Sequence, residues 1–355
     1  PSGWVDTDER ITETTMAFLH HELAIDLGTA NTVIFKGDEV VLDEPSIIAV
    51  ETKTGKLVAI GHDAQLIEEH TNPGIYTIRP LMNGVIADYD AAEMMLGGFI
   101  KKAIGKRPSI FKPALKIVIG IPGGSTPVDK RSIRDSASHA GAHDLYMIYE
   151  PMASALGIGI DVEAPNGNMV VDIGGGTTEI AVISLGGICE SASIHVAGNE
   201  ITTDIVDYLA QQHNISIGRT TAEQIKFAIG SVLPELPPDE EPEDYRVIGR
   251  NMVTAHPAEA SISYREIAAC IDKTIVKIEG EIIKVLQRTE PELYSNIVRN
   301  GIWLAGGGSL LRGIAQRFSE KVNIPFHVAE DPLKAVARGT CLALKGTDRY
   351  QFLER

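Results

Sequence analysis

Two short segments carry the residue types that a polyphosphate site needs. Asp26-Leu27-Gly28-Thr29-Ala30-Asn31-Thr32 and Asp172-Ile173-Gly174-Gly175-Gly176-Thr177-Thr178 each run from an aspartate through glycine into small hydroxyl or amide side chains. Glycine lets backbone amides approach phosphate oxygens, and small polar side chains add donors without filling the space. An aspartate leading such a turn repels phosphate, yet it suits a magnesium ion and its waters, which bridge the two anions. Two such turns could clamp one polyphosphate. Each alone is equally a plain hairpin turn; the combination carries the weight.

Further along, GIWLAGGGSLLRGI runs as an apolar strand through Gly306-Gly307-Gly308 into a predicted helix. Unpaired amides and the helix dipole would there point at one place, which suits an anion or a nucleotide. Glu150 ends an apolar run. A carboxylate just past a strand, facing a hydroxyl on the opposite hairpin, can orient a water in line with a terminal phosphate, and positioning is most of what phosphoryl transfer asks of a protein. Glu150 precedes Pro151, so it is equally placed to be an acid that a helix dipole stabilises. Glu223 and Lys226, three apart, read equally as an ordinary surface ion pair.

Competing nucleotide motifs fail. Before Gly105-Lys106-Arg107, Ile100 stands where a P-loop needs its first glycine, and Arg107 stands where it needs Ser or Thr. Gly157-Ile158-Gly159 is followed by Val162 where a dinucleotide fingerprint has its third glycine. His20 and His21 are adjacent and cannot share a helical face; with His139 and His143 they read as surface residues rather than ligands.

Short-range signals outline the strands and helices around these segments. From Leu23 onward, short β-branched runs broken by Gly, Asn and Asp predict hairpin-linked strands. Between Asp90 and Ile104, Leu96, Phe99, Ile100 and Ala103 fall on one helical face, and Leu115 to Pro122 reads as a strand. Thr126-Pro127-Val128-Asp129 is a helix start with a cap, a proline and an acid reaching back, and Gly141 can close that helix. NMVVDIGGGTTEIAVISLGGI repeats the first strand pair, so an internal duplication with two halves facing each other across a cleft is expected. Leu233 to Tyr245 reads as an acidic, proline-rich solvated loop. Tyr264 to Leu286 reads as a long helix.

Composition limits the function. With 355 residues, 44% hydrophobic and 23% charged, the chain can bury a substantial core. Acidic residues outnumber basic ones by 48 to 32, a net charge of −16. A nucleic-acid-binding surface needs clustered Lys and Arg and is excluded as an expectation. Cys189, Cys270 and Cys341 are far apart, which supports neither a disulfide framework nor a zinc site and fits a reducing, cytoplasmic setting. No apolar stretch of about 18 residues is present, so membrane contact is expected to be peripheral. Residues 1–15 are polar and acid-rich and read as an upstream or added segment before Met16.

From about Met16 to Thr347 the chain resembles the MreB family of bacterial actins, within the superfamily of actin, sugar kinases and DnaK-type chaperones. IDLGTANT resembles the first phosphate motif and VVDIGGGTTEIAVIS the second. YEPMASALG resembles the first connecting motif, GIWLAGGGSLLRGI the adenosine motif and DPLKAVARGTCLAL the second connecting motif. All five stand in the expected order.

The resemblance implies an α/β actin-like ATPase fold: duplicated RNase H-like domains with mixed sheets and two smaller inserted subdomains around a nucleotide cleft. Its subdomains would be IA (16–46, 80–159 and 330–349), IB (47–79), IIA (160–195 and 260–329) and IIB (196–259). It implies ATP or ADP with Mg2+ as ligands. Thr29, Ala30 and Asn31, then Gly174, Gly175 and Gly176, would contact phosphate. Glu223, Gln224, Ile225 and Lys226 would hold ribose and adenine, with Ala305, Gly306, Gly307 and Gly308 beneath the nucleoside. Asp26 would lie near magnesium, reaching it through water. Glu150 and Thr177 match the catalytic pair, with Asp172 behind them.

Slow ATP hydrolysis, head-to-tail polymerisation into paired protofilaments, and work with cell-wall synthesis and shape-determining proteins at the inner face of the cell membrane are implied as well. Met16, Phe18 and Leu19, or Met94, Met95 and Leu96, are the apolar candidates for lipid contact; the second group reads equally as helix core. Tyr149, His195 and Asn199 depart from the family pattern, standing where an acid, an Arg and an Asp are expected. A small-molecule kinase of the same superfamily is the alternative.

Overall fold

The computed structural model describes His20–His70, Pro73–Met82, Gly84–Gly105 and Ala114–Arg355. Two compact units divide the chain. The first takes the described residues up to Ile121 with Ser125–Ala153 and Ala337–Arg355; the second takes Pro122–Gly124 and Ser154–Val336.

In the first unit the described strands are β1 (His20–Leu27), β2 (Asn31–Lys36), β3 (Glu39–Pro45), β4 (Ile48–Glu51), β5 (Leu57–Ile60), β6 (Ile75–Ile78), β7 (Leu81–Met82), β8 (Val85–Ile86), β9 (Ala114–Ile121) and β10 (Ala142–Tyr149). The main sheet has the order β10-β9-β1-β2-β3. β1 is antiparallel to β2, β2 is antiparallel to β3, and β1, β9 and β10 run parallel. Consecutive β1 residues Leu23, Ala24 and Ile25 are all buried, as a strand covered on both faces requires.

The second unit contains β11 (Asn168–Ile173), β12 (Thr178–Ser184), β13 (Gly187–Ile194), β14 (Ile215–Ser216), β15 (Tyr245–Asn251), β16 (Pro257–Ile262), β17 (Ile302–Ala305) and β18 (Phe326–Val328). Its main sheet has the order β13-β12-β11-β17-β18. β11 to β13 are successively antiparallel, while β11, β17 and β18 run parallel. The two sheets share one plan, an antiparallel three-strand meander whose first strand is joined by two further parallel strands. The repeat in the sequence is therefore a repeat of topology.

Each unit adds a small antiparallel sheet, β5-β4-β6 in the first and β14-β15-β16 in the second. The first packs Ile47 and Ala49 against Ala64 of the helix His62–Glu69. The core of the second unit joins Val171, Ile173 and Val182 of the sheet to Ile201 and Ile205 of the helix Gly198–His213 and to Ile271, Ile275, Ile278 and Ile282 of the helix Tyr264–Arg288. That spacing of three and four is the stripe a helix turns toward a core.

Local signals act as the residues dictate. The helix Pro127–His139 starts with Thr126 accepting from the Asp129 amide at 3.2 Å while Asp129 accepts from the Thr126 amide at 3.0 Å, the reciprocal capping box. Ser263 and Glu266 do the same for Tyr264–Arg288. The helix Tyr89–Ile104 is capped by Asp88 and buries Leu96, Phe99 and Ile100.

Three expectations are corrected. Met95 and Leu96 are buried in the first unit's core and Met94 packs against it, so this group offers no loop to a lipid surface; the helical stripe wins. Phe18 and Leu19, with Met16 and residues 1–15, lie outside the described residues. His21 is 5% exposed rather than on the surface, because alternation along β1 puts it on the same side as Leu23 and Ile25. The glycine stretch after β17 enters a 3-10 turn, Gly307–Leu310, and the α-helix begins only at Ile314. Leu311 is extended and Gly313 has φ 78°, which interrupts any continuous helix. No described helix is long and apolar enough to cross a membrane.

Candidate functional site

In the first unit, Asp26 lies near the carboxyl end of β1, where it is level with Gly120 of β9. Tyr149, at the end of β10, is level with Ile121, and Glu150 follows as the first residue of the helix Glu150–Ile158. Asp26 and Glu150 thus belong to the same edge of three parallel strands, the edge at which open α/β sheets take ligands. The turn after β1 needs its glycine. A Cβ on Gly28 would stand 2.6 Å from the Asn31 carbonyl oxygen, closer than such atoms come. Ser46 fastens this turn: its hydroxyl donates to the Gly28 carbonyl at 2.6 Å and its amide to the Ala30 carbonyl at 2.9 Å. Thr29 accepts from the Gly84 amide at 3.1 Å, and Ala30 and Asn31 are exposed.

The second unit repeats the arrangement with more detail. The Gly174 amide donates to the Thr177 carbonyl at 2.9 Å, closing the turn. The Gly174 carbonyl accepts from the Gly198 amide at 3.1 Å and the Gly175 carbonyl from the Asn199 amide at 2.7 Å. These two carbonyls therefore face the start of the helix Gly198–His213. In a trans peptide the following N–H points opposite to the carbonyl, so the amides of Gly175 and Gly176 are directed away from that helix. Two adjacent backbone donors aimed outward from a glycine turn make a concavity for an anion.

Around this turn the structure assembles most of the residues expected for nucleotide. Lys226, on the helix Arg219–Ile229, donates to the Gly198 carbonyl at 3.1 Å, to Thr202 Oγ1 at 2.9 Å and to Glu223 Oε1 at 2.6 Å. Thr202 donates to Glu223 Oε1 at 2.6 Å as well. Burial works to raise the Glu223 pKa, but the Lys226 ammonium and the hydrogen bonds from Lys226 and Thr202 prevail and hold it below the usual value. Lys226 is only 11% exposed, so the pair is part of a network that joins two helices to the turn, rather than a solvated ion pair. Gln224 is exposed, while Ile225 is fully buried in the core and withdraws its side chain from any ligand.

The loop from Ala305 to Gly308 packs directly on β11. A side chain at Gly306, whose φ is 75°, would collide with Asp172 Oδ1 and the Ile173 carbonyl; one at Gly308 would collide with Ile173 Cγ2. The Gly306 amide is tied to the Pro332 carbonyl at 2.9 Å. Asp172 itself is buried and accepts from the Ser154 hydroxyl. Burial pushes its pKa up to about 6 against the effect of that hydrogen bond.

Glu179 is a residue that motif reading missed. It lies opposite Asp172 in the β11–β12 register and is 2% exposed. Its carboxylate accepts from the Ser193 hydroxyl at 2.6 Å, from the Gly123 amide at 3.1 Å and from the Thr177 side chain. Burial, with the nearby Asp172 charge adding to it, pushes the Glu179 pKa up to about 7 although those three hydrogen bonds oppose the shift. The signal was a single acid within the otherwise uncharged run TTEIAVIS, where an unpaired charge is costly. Ser154 and Thr202 carried no signal, because serines and threonines in helices are common.

The departures also find partners. Asn199 Oδ1 accepts from Arg219 at 3.2 Å, Tyr149 bonds Lys130 and Glu354, and His195 is exposed.

The family model described as MreB/Mbl protein matches residues 20–351. The chain belongs to the MreB/Mbl family. It is 41% identical over 335 residues to the cell shape-determining protein MreB of Escherichia coli K12, covering 93% of this chain and 95% of that one. Against the cell shape-determining protein Mbl of Bacillus subtilis 168 it is 38% identical over 329 residues, covering 92% and 97%. Among solved structures, MreB5 of Spiroplasma citri bound to AMPPNP superposes with a TM-score of 0.85 at 36% identity, covering 93% of this chain and 97% of that one. MreB5 bound to ADP gives the same TM-score at 35% identity, covering 93% and 99%. A MamK double helical filament, at 20% identity and TM-score 0.76 over 92% and 99% of the two chains, shares the fold. The fold is the actin-like ATPase fold, and this member of the MreB/Mbl family is a bacterial actin that acts in cell-shape determination.

Proposed function

We propose that this bacterial actin binds ATP with magnesium, hydrolyses it slowly and polymerises head to tail into paired protofilaments on the inner face of the cell membrane, where it organises cell-wall synthesis. One observation carries the nucleotide part: the Gly174–Gly176 turn has its carbonyls committed to one helix and its next amides directed away from it, with Lys226, Glu223 and the Gly306–Gly308 loop built around the same strand end. Relatives captured with AMPPNP and with ADP support the same ligand class.

The residues present suit the group. Gly28 holds the first turn at an approach that a side chain would block, Gly174 leaves little room for one in the second, and Asp26 offers a carboxylate beside the first. Magnesium, when bound, offsets phosphate charge and polarises the terminal phosphoryl group. The amides of Gly175 and Gly176 hold phosphate oxygens, with Thr29, Ala30 and Asn31 serving from the first turn. Glu223 and Lys226 hold the ribose and adenine side, the nucleoside resting on Ala305–Gly308. Glu150 orients the attacking water and Thr177 offers its hydroxyl to the same step. Asp172, buried and accepting from the Ser154 hydroxyl, supports the strand end that carries the turn.

Membrane contact falls to Met16, Phe18 and Leu19 by insertion of apolar side chains, since an anionic lipid surface repels a chain of charge −16. Heterologous contacts that do not close propagate into filaments.

Sedimentation with ATP tests polymerisation: pelleting should begin at a critical concentration. A protein that stays monomeric in ATP at every concentration while phosphorylating a small sugar or acid would instead be a kinase. Glu150→Ala should slow phosphate release and spare ATP binding; equal loss of both would remove Glu150 from catalysis. Liposome flotation of Phe18→Ala/Leu19→Ala against the parent tests the membrane contact.

A further inference from the structure

β10 is the edge of the first unit's main sheet, and an edge strand presents amide and carbonyl groups that want partners. The segment Tyr350–Arg355, which follows the helix Ala335–Lys345, supplies them. The Met147 amide donates to the Glu354 carbonyl at 2.7 Å and the Glu354 amide donates to the Met147 carbonyl at 3.0 Å, the reciprocal pair of an antiparallel ladder.

Side chains then clamp this contact. Lys130 donates to both carboxylate oxygens of Glu354, at 2.9 and 2.7 Å, and to the Tyr149 hydroxyl at 2.8 Å; that hydroxyl donates to Glu354 Oε1 at 2.8 Å. Lys130 also lies 4.9 Å from the Tyr149 ring centroid. Arg355 donates to the Tyr146 hydroxyl at 2.9 Å and lies over its ring, while Arg134 reaches the main-chain oxygen of Arg355. The Lys130 hydrogen bond leads the causes that hold Glu354 below its ordinary pKa. The Tyr149 hydroxyl accepts from Lys130 and donates to Glu354 at once, a pairing that an ionised acid at this position could not make.

Tyr149 ends β10, and Glu150 is the next residue. We propose that Tyr350–Arg355 is a positioning strap for Glu150: through Glu354, Lys130 and Tyr149 it fixes the strand end that carries the water-orienting carboxylate. The strap rests on the reading of Glu150 given above. A catalytic group displaced by about 1 Å costs up to about a hundredfold in rate, so release of the strap lowers kcat and leaves ATP affinity alone.

The experiment compares Glu354→Lys, Lys130→Glu, their double variant and Glu354→Gln in the full chain, at equal polymer content. Hydrolysis rate, ATP affinity and the exchange rate of the Met147 amide are measured together. The single charge reversals should lower kcat by about tenfold or more, spare ATP affinity and speed Met147 exchange. The double variant should restore kcat and Met147 exchange with ATP affinity still unchanged, and Glu354→Gln, which keeps an acceptor, should fall between. Faster Met147 exchange with an unchanged kcat overturns the strap as a positioning device. Glu150→Ala is run beside them. Unimpaired hydrolysis there removes the reading of Glu150 and the strap's role with it, whereas hydrolysis lost in Glu150→Ala but unchanged in Glu354→Lys overturns the strap alone.

Discussion

Replacing Glu179 with Gln should make the second unit more stable at mildly alkaline pH and leave it nearly unchanged in mild acid. Burial raises the Glu179 pKa from 4.5 to about 7, helped by the Asp172 charge. A carboxyl raised in the folded state binds its proton more tightly there than in the unfolded chain. Its stabilising contribution is then full below the unfolded pKa and is lost as pH rises through the folded one. One pKa unit corresponds to about 1.4 kcal/mol, so a shift of this size sets an upper bound of roughly 3 kcal/mol. Gln carries no charge at any pH. It can turn its carbonyl to the Gly123 amide and its NH2 to Ser193, now an acceptor, so most of the contacts survive. Parent and variant should therefore match near about pH 4 and separate by about 2 kcal/mol, in favour of the variant, by about pH 8. Urea unfolding followed by the emission of Trp303, which lies on β17 of the same unit, reads the difference. A gap that stays constant across this range, or that favours the parent at high pH, would refute a raised Glu179.

Other substitutions test the site and its supports. Gly306→Ala, which drives a methyl into Asp172 and the Ile173 carbonyl at a positive φ, should destabilise the second unit by about 2 kcal/mol or more and weaken ATP binding in calorimetry. Lys226→Met removes the only ammonium that bonds Gly198, Thr202 and Glu223 together among the described contacts; Glu223 should then titrate above its present value, and ATP affinity should fall about tenfold or more in a fluorescent-nucleotide assay. Thr126→Ala deletes half of a capping box and should cost about 1 kcal/mol in urea unfolding with no change in nucleotide affinity.

Much of this protein is written locally. The two Asp-to-Gly turns, the capping boxes at Thr126 and Ser263 and the apolar stripe of Tyr264–Arg288 follow from short-range rules: glycine where a side chain would strike a carbonyl, a hydroxyl or acid where amides lack partners, and apolar residues every third or fourth position. The repeat of those turns was enough to expect two similar halves, and the two sheets bear that plan.

Local rules do not say which side chains meet from distant parts of the chain. That Glu223 and Lys226 join a buried network, that Met95 and Leu96 are core, that His21 is covered, and that Glu179 faces Asp172 behind Thr177 all depend on register and packing between segments far apart in sequence. Burial then changes the chemistry itself, because the proton affinity of a carboxylate is set by lost water and by neighbouring charges rather than by residue type. The two glycine turns can be read locally as a place for phosphate, because glycine lets the backbone come close. Register and packing set which acids are buried beside that place, and they clasp the strand end bearing Glu150 with residues some two hundred positions further along the chain.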